Sequence, residues 1–393
     1  MSSITVPARW RFALLGISLA VTVLACYPFG RNRDARYQLL DAWGSDVILN
    51  GYEEFEVRTR ALSDAADTFC ASPDAGRLAA TRAAWDTARG AWKRMEVFAF
   101  GPYGDVEWGR FGPQIDFWPA RPDKVEELLA SDSLLEPATL DAAGAAVRGL
   151  PAIEVALFER GDDTLMAFDS NPRRCEYLTA AATDLSALAE SVRLAWTPMA
   201  SGETTAVPRG FLLQLTYPGE AVPGATQLGG APVAMPSYMG PQASMAEVVN
   251  RIGFTIENIR AEKLGAPLGQ KTGTVLPDSV ESRYSGRSLL DVLDVLDGIE
   301  RVLEGGRDGE AMGLLDYLVG RSPVALIPAV RRHLAASRAA VLAIEEPLAT
   351  AVINAPATVE AAIATLGELQ RTIQADVIGT LALSLAFNDA DGD

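Results

Sequence analysis

A glutamate inside an apolar helical stretch is the strongest candidate for chemistry in this sequence. Glu154 lies in RGLPAIEVALF, residues 148–158, and has apolar neighbours on both sides. Because an ionised carboxylate is rarely buried without partners, three roles are open to it. It is a solvated or hydrogen-bonded structural residue, a pocket carboxylate that meets a hard cation or a cationic ligand together with Glu96 and Asp116, or a catalytic base. A raised pKa would mark the second and third roles.

Glu96 and Asp116 belong to an aromatic segment that runs from residue 96 to residue 129. Its glycines and prolines predict fixed turns. Its large rings predict that the segment is packed rather than mobile. These rings are Phe98, Phe100, Trp108, Phe111, Phe117 and Trp118. Both carboxylates are therefore close in sequence to apolar surfaces that must be covered.

Other residues that would support catalysis or a transition metal are scarce. The single histidine, His333, is flanked by Arg331 and Arg332. Cationic repulsion opposes a metal there, so an ordinary surface or partner-facing histidine is expected. No cysteine stands at metal-ligand spacing from another cysteine or a histidine, which argues against zinc. The sequence contains neither a nucleophile elbow nor a nucleotide-binding loop.

The charge of the chain restricts its partners. It carries 51 acidic and 34 basic residues, a formal net charge of −17 at pH 7. Such a chain repels nucleic acid and anionic membrane surfaces unless a basic face is segregated, and the overall pattern suggests no such face. Nucleic acid is therefore not an expected partner.

The N-terminus has the pattern of a bacterial lipoprotein signal. Arginines precede the uncharged run FALLGISLAVTVLA, residues 12–25, which suits a signal-peptide core better than a membrane-spanning helix. The sequence VLAC then resembles a lipobox, in which Cys26 is lipidated once residues 1–25 are removed. Tyr27, rather than an aspartate, follows this cysteine. This resembles the pattern of lipoproteins that are sorted to the outer membrane, on its periplasmic face. The alternative is an ordinary secretory peptide with an incidental cysteine.

Two further cysteines, Cys70 and Cys175, would remain in a compartment that permits disulfides. We predict a bridge between them. It would close a loop of about a hundred residues and contribute roughly 4 kcal/mol in the chain-entropy model. Two buried free thiols are the alternative, because an even number of cysteines does not prove pairing.

Apolar residues recur at intervals of three and four along most of the chain, which predicts an all-α fold. Helices are expected at residues 37–69, 78–100, 175–196, 242–263, 286–303, 323–345 and 356–386. Residues 198–241 are rich in glycine and proline and predict a junction. The expected organisation is therefore two helical bundles in series, residues 35–197 and residues 242–393, with residues 26–34 as a linker.

Several motifs in fixed order resemble the imelysin family. They are TARGAWKRMEVFAFGP (87–102), IDFWP (115–119), RGLPAIEVALF, AEKLGAPLG (261–269), ESRYSGRSLLDVL (281–293) and the terminal LAFNDADGD. The resemblance runs from about residue 36 to the end of the sequence. It implies an all-helical fold of two bundle-like domains with a functional site near their interface. It also implies a bacterial periplasmic or outer-membrane-linked protein associated with iron uptake, although some members were named as peptidases.

The chain departs from the family at its signature Gly-x-His-x-x-Glu. Here Gly149, Pro151 and Glu154 occupy these positions, so proline replaces histidine. Proline is tolerated in the first turn of a helix but cannot ligate a metal. The imidazole that iron or zinc favours is lost, and Glu154 and Glu96 remain as the metal ligands that the resemblance implies.

The resemblance also implies ligand-contacting roles for Glu281, Ser282 and Tyr284 in ESRYSGRS. An equally open alternative is that this segment caps the following helix through Ser285 or Ser288. It further places Cys70 and Cys175 at the cysteine positions of the family.

The chain ends in NDADGD, which lacks the length of an EF-hand calcium loop. An acidic terminal segment is expected. The alternative is a structural role in which Asp389 and Asp391 cap or bridge helices.

These observations predict an imelysin-like outer-membrane lipoprotein that faces the periplasm. It is expected to bind a ligand rather than catalyse a reaction, and to serve in the acquisition of iron, another metal or a siderophore. A divalent cation or iron is the expected cofactor, and the missing histidine weakens this expectation. The expected partners are the outer membrane through the lipid and either an outer-membrane receptor or the ligand itself. The alternatives are a metallopeptidase-type enzyme of the family and a scaffold lipoprotein that docks to an outer-membrane receptor.

Overall fold

The computed structural model describes residues 34–199, 207–219, 225–230, 233, 236–307 and 309–386. Over these residues the predicted all-α fold is confirmed, and their only β-pairing is an isolated antiparallel bridge between Arg209 and Thr226. The signal peptide, Cys26 and the acidic tail with Asp389 and Asp391 lie outside the described residues.

The helices of the first half enclose a core of aromatic side chains. They are α1 (Ala35–Ala42), α2 (Asn50–Ala71), α3 (Ala75–Arg94), α4 (Gly112–Ile115), α5 (Pro122–Ala130), α6 (Pro137–Ala143), α7 (Gly149–Phe158), α8 (Thr164–Ser170) and α9 (Arg173–Trp196). A π-helical segment, Trp43–Leu49, connects α1 directly to α2. Asp74 caps α3, since its carboxylate accepts a hydrogen bond from the Arg77 amide at 2.7 Å. α2 packs along both α3 and α9.

The helices of the second half follow the glycine- and proline-rich segment. They are α10 (Phe211–Thr216), α11 (Pro241–Asn258), α12 (Ser288–Glu304), α13 (Leu314–Leu318), α14 (Leu326–Leu342), α15 (Leu348–Asn354), α16 (Pro356–Arg371) and α17 (Ile378–Thr380). A π-helical segment, Ile259–Gly265, extends α11, and a second one, Thr372–Val377, joins α16 to α17.

Two predicted helix ends are wrong. α3 ends at Arg94 rather than at residue 100, and 3₁₀ turns follow it. The turn at Gly101 has a positive φ of 55°, and a Cβ there would lie 2.4 Å from the ring of Phe211, so glycine fits both the backbone and the packing. The last helix ends at Thr380 rather than near residue 386, because the chain then runs along α11, where the Asn250 side chain bonds to the backbone of residues 384 and 386.

The predicted junction contributes to the core. α10 lies within it and is buried throughout, with the ring centroid of Phe211 5.0 Å from that of Trp196 and 4.9 Å from that of Trp108. The buried residues of both halves form one continuous cluster. α1 belongs to the first half by sequence but packs on α11 and α13 of the second. The division into residues 35–197 and 242–393 stays a prediction.

The predicted bridge between Cys70 and Cys175 is confirmed. It ties the C-terminal end of α2 to the first turn of α9. The two cysteines are 105 residues apart in sequence, so the bridge closes a long loop.

No single helix of the described residues is long and apolar enough to cross a membrane. α15 and Pro356–Thr380 meet the length and composition requirements only as a pair, and this pair is bent by 109°.

The close crossing of α3 and α12 brings the two halves together. A Cβ on Gly298 of α12 would lie 2.0 Å from the carbonyl oxygen of Arg94 on α3, so only glycine allows this approach. The crossing places polar side chains of α3 opposite the segment that leads into α12.

Candidate functional site

Two cations on one face of α3 organise the site. Arg89 and Lys93 are four residues apart, so they share a helix face, and each is only 1% exposed. The Arg89 guanidinium bonds to Asp116, lies 2.9 Å from Glu281 Oε1 and lies 3.2 Å from Asp291 Oδ2. Buried charges require this kind of pairing. Through it Arg89 contacts Asp291, which is 202 positions away in sequence.

Lys93 and Lys263 hold the carboxylates of the two halves together. The Lys93 Nζ lies 2.8 Å from Asp116 Oδ2, 2.5 Å from Glu281 Oε1 and 3.0 Å from Glu96 Oε2. Lys263, on the π-helical extension of α11, lies 2.7 Å from Glu281 Oε2 and 3.1 Å from Glu96. Glu96 and Glu281 are therefore each shared by both lysines.

The pairing outweighs burial in setting the ionisation of this network. Burial alone would raise the pKa of Glu281, but Lys263, Lys93 and Arg89 hold that pKa well below its usual range. Burial would likewise raise the pKa of Asp116, and Arg89 and Lys93 lower it instead. The pKa of Lys93 lies well above its usual value because its neighbouring carboxylates overcome the effects of burial and of Arg89. All of these groups are charged at neutral pH.

This network forms one wall of a cavity of about 200 Å³. The lining residues are Lys93, Glu96, Tyr103, Asp116, Trp118, Asn258, Glu262, Lys263 and Glu281. Two ammonium groups against four carboxylates give the lining a formal charge of −2. Trp118 is 38% exposed, whereas most rings of the aromatic segment are buried as predicted. The cavity therefore offers charged groups together with an accessible aromatic face.

Glu154 lies outside this cavity lining. It is buried, and its Oε1 accepts hydrogen bonds from the Ser285 amide at 2.9 Å and from the Ser285 Oγ at 2.7 Å. Burial raises the pKa of Glu154, although the Ser285 bonds and Arg89 partly oppose this rise. Pro151 is in the first turn of α7, as the sequence predicts. Glu154 thus has the hydrogen bonds expected of a structural residue, together with the raised pKa expected of the functional roles.

The segment ESRYSGRS links the network to Glu154 rather than capping α12. Ser282 donates to Asp291 at 2.5 Å, and Ser288 donates to the carbonyl of Glu281. α12 has no side-chain cap at its N-terminus, so the capping alternative for Ser285 and Ser288 is wrong. These hydroxyls are already used to hold the segment against α12 and α7.

Tyr284 is partly buried, and the guanidinium carbon of Arg283 lies 4.9 Å from the centroid of its ring. It does not line the cavity. Of the three residues that the resemblance placed in this segment, Glu281 is the one that reaches the cavity.

A family model described as Imelysin matches residues 48–373.

The chain belongs to the imelysin family.

A relative named iron-regulated protein A, from Synechococcus elongatus, is 27% identical over 314 residues, which cover 80% of this chain and 77% of the relative. The crystal structure of an iron-regulated protein A precursor from Parabacteroides distasonis superposes with a TM-score of 0.72 at 18% identity, over 90% of this chain and 96% of that one. An imelysin-like protein from Psychrobacter arcticum gives a TM-score of 0.68 at 18% identity, over 91% and 99%. These two structures establish the imelysin fold.

Sequence reasoning missed the cations of this imelysin's site. Arg89 and Lys93 stand in TARGAWKRME and Lys263 in AEKLGAPLG, but none of the three was predicted as a site residue. A signal was available, because the chain has only four lysines and two of them lie in these motifs. The four-residue spacing of Arg89 and Lys93, which puts both on the helix face that carries Trp85 and Trp92, was a second signal.

The metal role of Glu154 and Glu96 stays a prediction. Among the described residues, no three or more His, Cys, Asp or Glu side chains are grouped so as to hold a metal ion. Glu96 is engaged by lysines, and Glu154 by Ser285. His333 is partly buried rather than on the open surface, and its Nδ1 lies 2.8 Å from Thr372 Oγ1.

Proposed function

We propose that this imelysin is an outer-membrane lipoprotein, anchored through Cys26 and facing the periplasm, that binds a small iron-bearing ligand in the cavity without turning it over. The lipobox-like VLAC supports the anchor. The name of the relative, iron-regulated protein A, supports the link to iron. The observation that carries the proposal is the cavity between the C-terminal end of α3, the aromatic segment and the π-helical extension of α11, whose lining has a formal charge of −2.

The pairing of the carboxylates favours a chelate over a bare ion. A naked cation must displace Lys93 or Lys263 before it can take the oxygens of Glu96 and Glu281. A chelate that brings its own donor atoms needs only the outward lone pairs of these carboxylates, and it can lie against the Trp118 ring. The negative lining favours a complex whose net charge is positive or zero. The volume of about 200 Å³ restricts the ligand to a small one.

The ionisation of the cavity residues supports binding rather than catalysis. A general acid or base works best when its pKa is near the working pH. The pKa values of Asp116 and Glu281 are lowered, and burial raises the pKa of Tyr103 far from neutrality. Glu154 has a raised pKa but does not line the cavity.

Calorimetric titration with the cationic one-to-one complex of ferric iron and acetohydroxamate tests this proposal. Glu96→Gln is expected to weaken binding about tenfold or more, because a charge-assisted contact is lost. Glu127→Gln is the matched control, since Glu127 pairs with Lys124 on the surface. Chelator-sensitive cleavage of peptides by the pure protein, with no ferric hydroxamate binding, would favour the peptidase alternative.

Mass spectrometry of the mature protein tests the anchor separately. Diacylglycerol and an acyl chain on an N-terminal Cys26, in protein recovered from the outer-membrane fraction, are the expected result. A free Cys26 in a periplasmic extract would contradict it.

A further inference from the structure

A stretch in the second half of this acidic chain contains arginines but no acidic residue. Residues 317–344 contain no aspartate or glutamate, yet they hold four arginines and the single histidine. Two of these arginines, Arg331 and Arg338, are ion-paired with Glu304 and Glu300 of α12, so the charge of this stretch is partly neutralised. Its first residues form the connection between α13 and α14, residues 319–325, here called the basic loop.

The basic loop presents apolar side chains to solvent. Val319 is 63% exposed and Val324 is 95% exposed. Between them Gly320 adopts a φ of +71° and turns the chain. Val324 is the most exposed of the large apolar side chains in the described residues, and the two valines lie together on one short turn.

Arg321 gives the loop its charge. Its Nη1 donates to the Tyr317 carbonyl at 2.9 Å, and its guanidinium lies 4.6 Å from the centroid of the Tyr317 ring. Within the described part of the chain, no carboxylate lies within ion-pair distance of Arg321. Its positive charge is therefore available to an anion outside the protein.

The N-terminal end of the described chain lies beside this loop. α1 packs on α13, and Arg321 adds to the larger effect of Arg36 in lowering the pKa of Asp34. Cys26 lies only eight positions before Asp34 in the sequence. Fully extended, eight residues span at most about 28 Å. A lipid on Cys26 therefore keeps the basic loop close to the bilayer surface.

We propose that the basic loop is the membrane-contact surface of the anchored protein. Val319 and Val324 enter the interfacial region of the phospholipid leaflet, and Arg321 pairs with anionic headgroups. Acyl chains on one cysteine tether a protein without fixing its orientation, and a second apolar and basic contact supplies that orientation. This inference rests on the lipidation proposed above.

A fluorescent label placed on the loop tests the inference. In mature, acylated protein, Cys26 carries lipid and Cys70 is bonded to Cys175, so Val324→Cys supplies the free thiol for an environment-sensitive dye. The labelled protein is reconstituted into vesicles of phosphatidylethanolamine and phosphatidylglycerol. The reference is the labelled protein with the further change Arg321→Glu, held in detergent-free nanodiscs of zwitterionic lipid. Relative to this reference, we expect quenching of the dye by aqueous iodide to fall about threefold.

Leu134→Cys is the matched control, because Leu134 is 70% exposed at the far end of the molecule. Arg173, at the start of α9, bonds to the carbonyl of Ser133. The other end of α9 meets α10, which packs on α1. The 24 residues of α9 therefore place Leu134 about 36 Å from the anchored end. A dye at this position should stay fully accessible to iodide.

The outcomes separate the two proposals. Protection at position 324 and not at position 134 supports the inference. Equal accessibility at both positions in acylated, vesicle-bound protein overturns it and leaves the lipid anchor intact. Absence of acyl chains on Cys26 overturns both. Because Val324 is almost fully exposed, the labelled variant should fold as the native protein does.

Discussion

At the scale of single residues, Glu154 combines two properties that the sequence could not connect. It is hydrogen-bonded twice by Ser285, as a structural carboxylate should be, and burial nevertheless raises its pKa. The two bonds favour the ionised form, and burial opposes it more strongly. Glu154 therefore makes stability depend on pH.

The sign of that dependence is testable. Between the ordinary value of 4.5 and the raised pKa, the folded protein binds more protons than the unfolded chain, so stability falls as the pH rises through this window. Glu154→Gln keeps an oxygen for Ser285 but does not titrate. We predict that the free energy of unfolding of the variant, relative to wild type, increases with pH across this window and then levels off. Urea unfolding at a series of pH values measures it.

Ser285→Ala provides the check on this prediction. It removes the Oγ donor and leaves the amide donor, so the pKa of Glu154 should rise further and the window should extend to higher pH. A difference between Glu154→Gln and wild type that is constant at every pH would show that Glu154 does not titrate as described.

Loss of the Lys93 ammonium should be costly. Lys93→Gln leaves the buried carboxylates of Asp116 and Glu281 with fewer cationic partners, and breaking such a buried network costs about 3–5 kcal/mol. Lys124→Gln breaks an exposed pair with Glu127 and should cost less than about 0.5 kcal/mol. Equal urea midpoints for the two variants would contradict the structural importance of the network.

At the scale of elements, the crossing of α3 and α12 depends on Gly298. A Cβ at this position meets the backbone of Arg94, which cannot move aside as a flexible side chain would. We predict that Gly298→Ala destabilises the protein by about 1–3 kcal/mol through overpacking. Gly379→Ala is the control, because its Cβ meets nothing within 4 Å and alanine favours helix by up to about 1 kcal/mol. Thermal unfolding measures both effects. A shift of the unfolding temperature in the same direction for both variants would show that the crossing is not tight.

The sequence predicts the helices well and several of their ends badly. Periodicity predicts a helical face wherever one side of the chain is buried, so α9 and α12 are found within two residues of their predicted limits. The end of α3 depends on Gly101 meeting Phe211, and the end of α17 depends on Asn250 holding the last described residues. Such contacts join positions that are far apart in sequence, so no local pattern reveals them.

At the scale of the whole molecule, the bridge between Cys70 and Cys175 restrains the unfolded chain. It closes a loop of 105 residues. In the chain-entropy model a loop of this length contributes about 4–5 kcal/mol. We predict that the double variant Cys70→Ser/Cys175→Ser loses most of this stability, with its helical content retained at low temperature. Circular dichroism during urea unfolding measures both quantities, and a loss below about 1 kcal/mol would contradict the model.

The candidate site could be predicted only in part, because its contacts also join positions that are far apart in sequence. Glu96, Asp116 and Glu281 were identified as polar residues within motifs, and the structure brings them together around Lys93. Their neutralisation was not foreseen, because Arg89 and Asp291 are 202 residues apart in sequence and meet only in the folded protein. Glu154 was grouped with Glu96 from the family signature, whereas the fold places it against Ser285, outside the cavity lining.

We propose that the cavity between α3, the aromatic segment and the π-helical extension of α11 holds the iron-bearing ligand. Crystals grown with the ferric acetohydroxamate complex, measured at the iron absorption edge, test it most directly. We expect an anomalous peak within the cavity, between Glu96 and Trp118, which disappears in Glu96→Gln. A peak coordinated by Glu154, or one unaffected by Glu96→Gln, would contradict it.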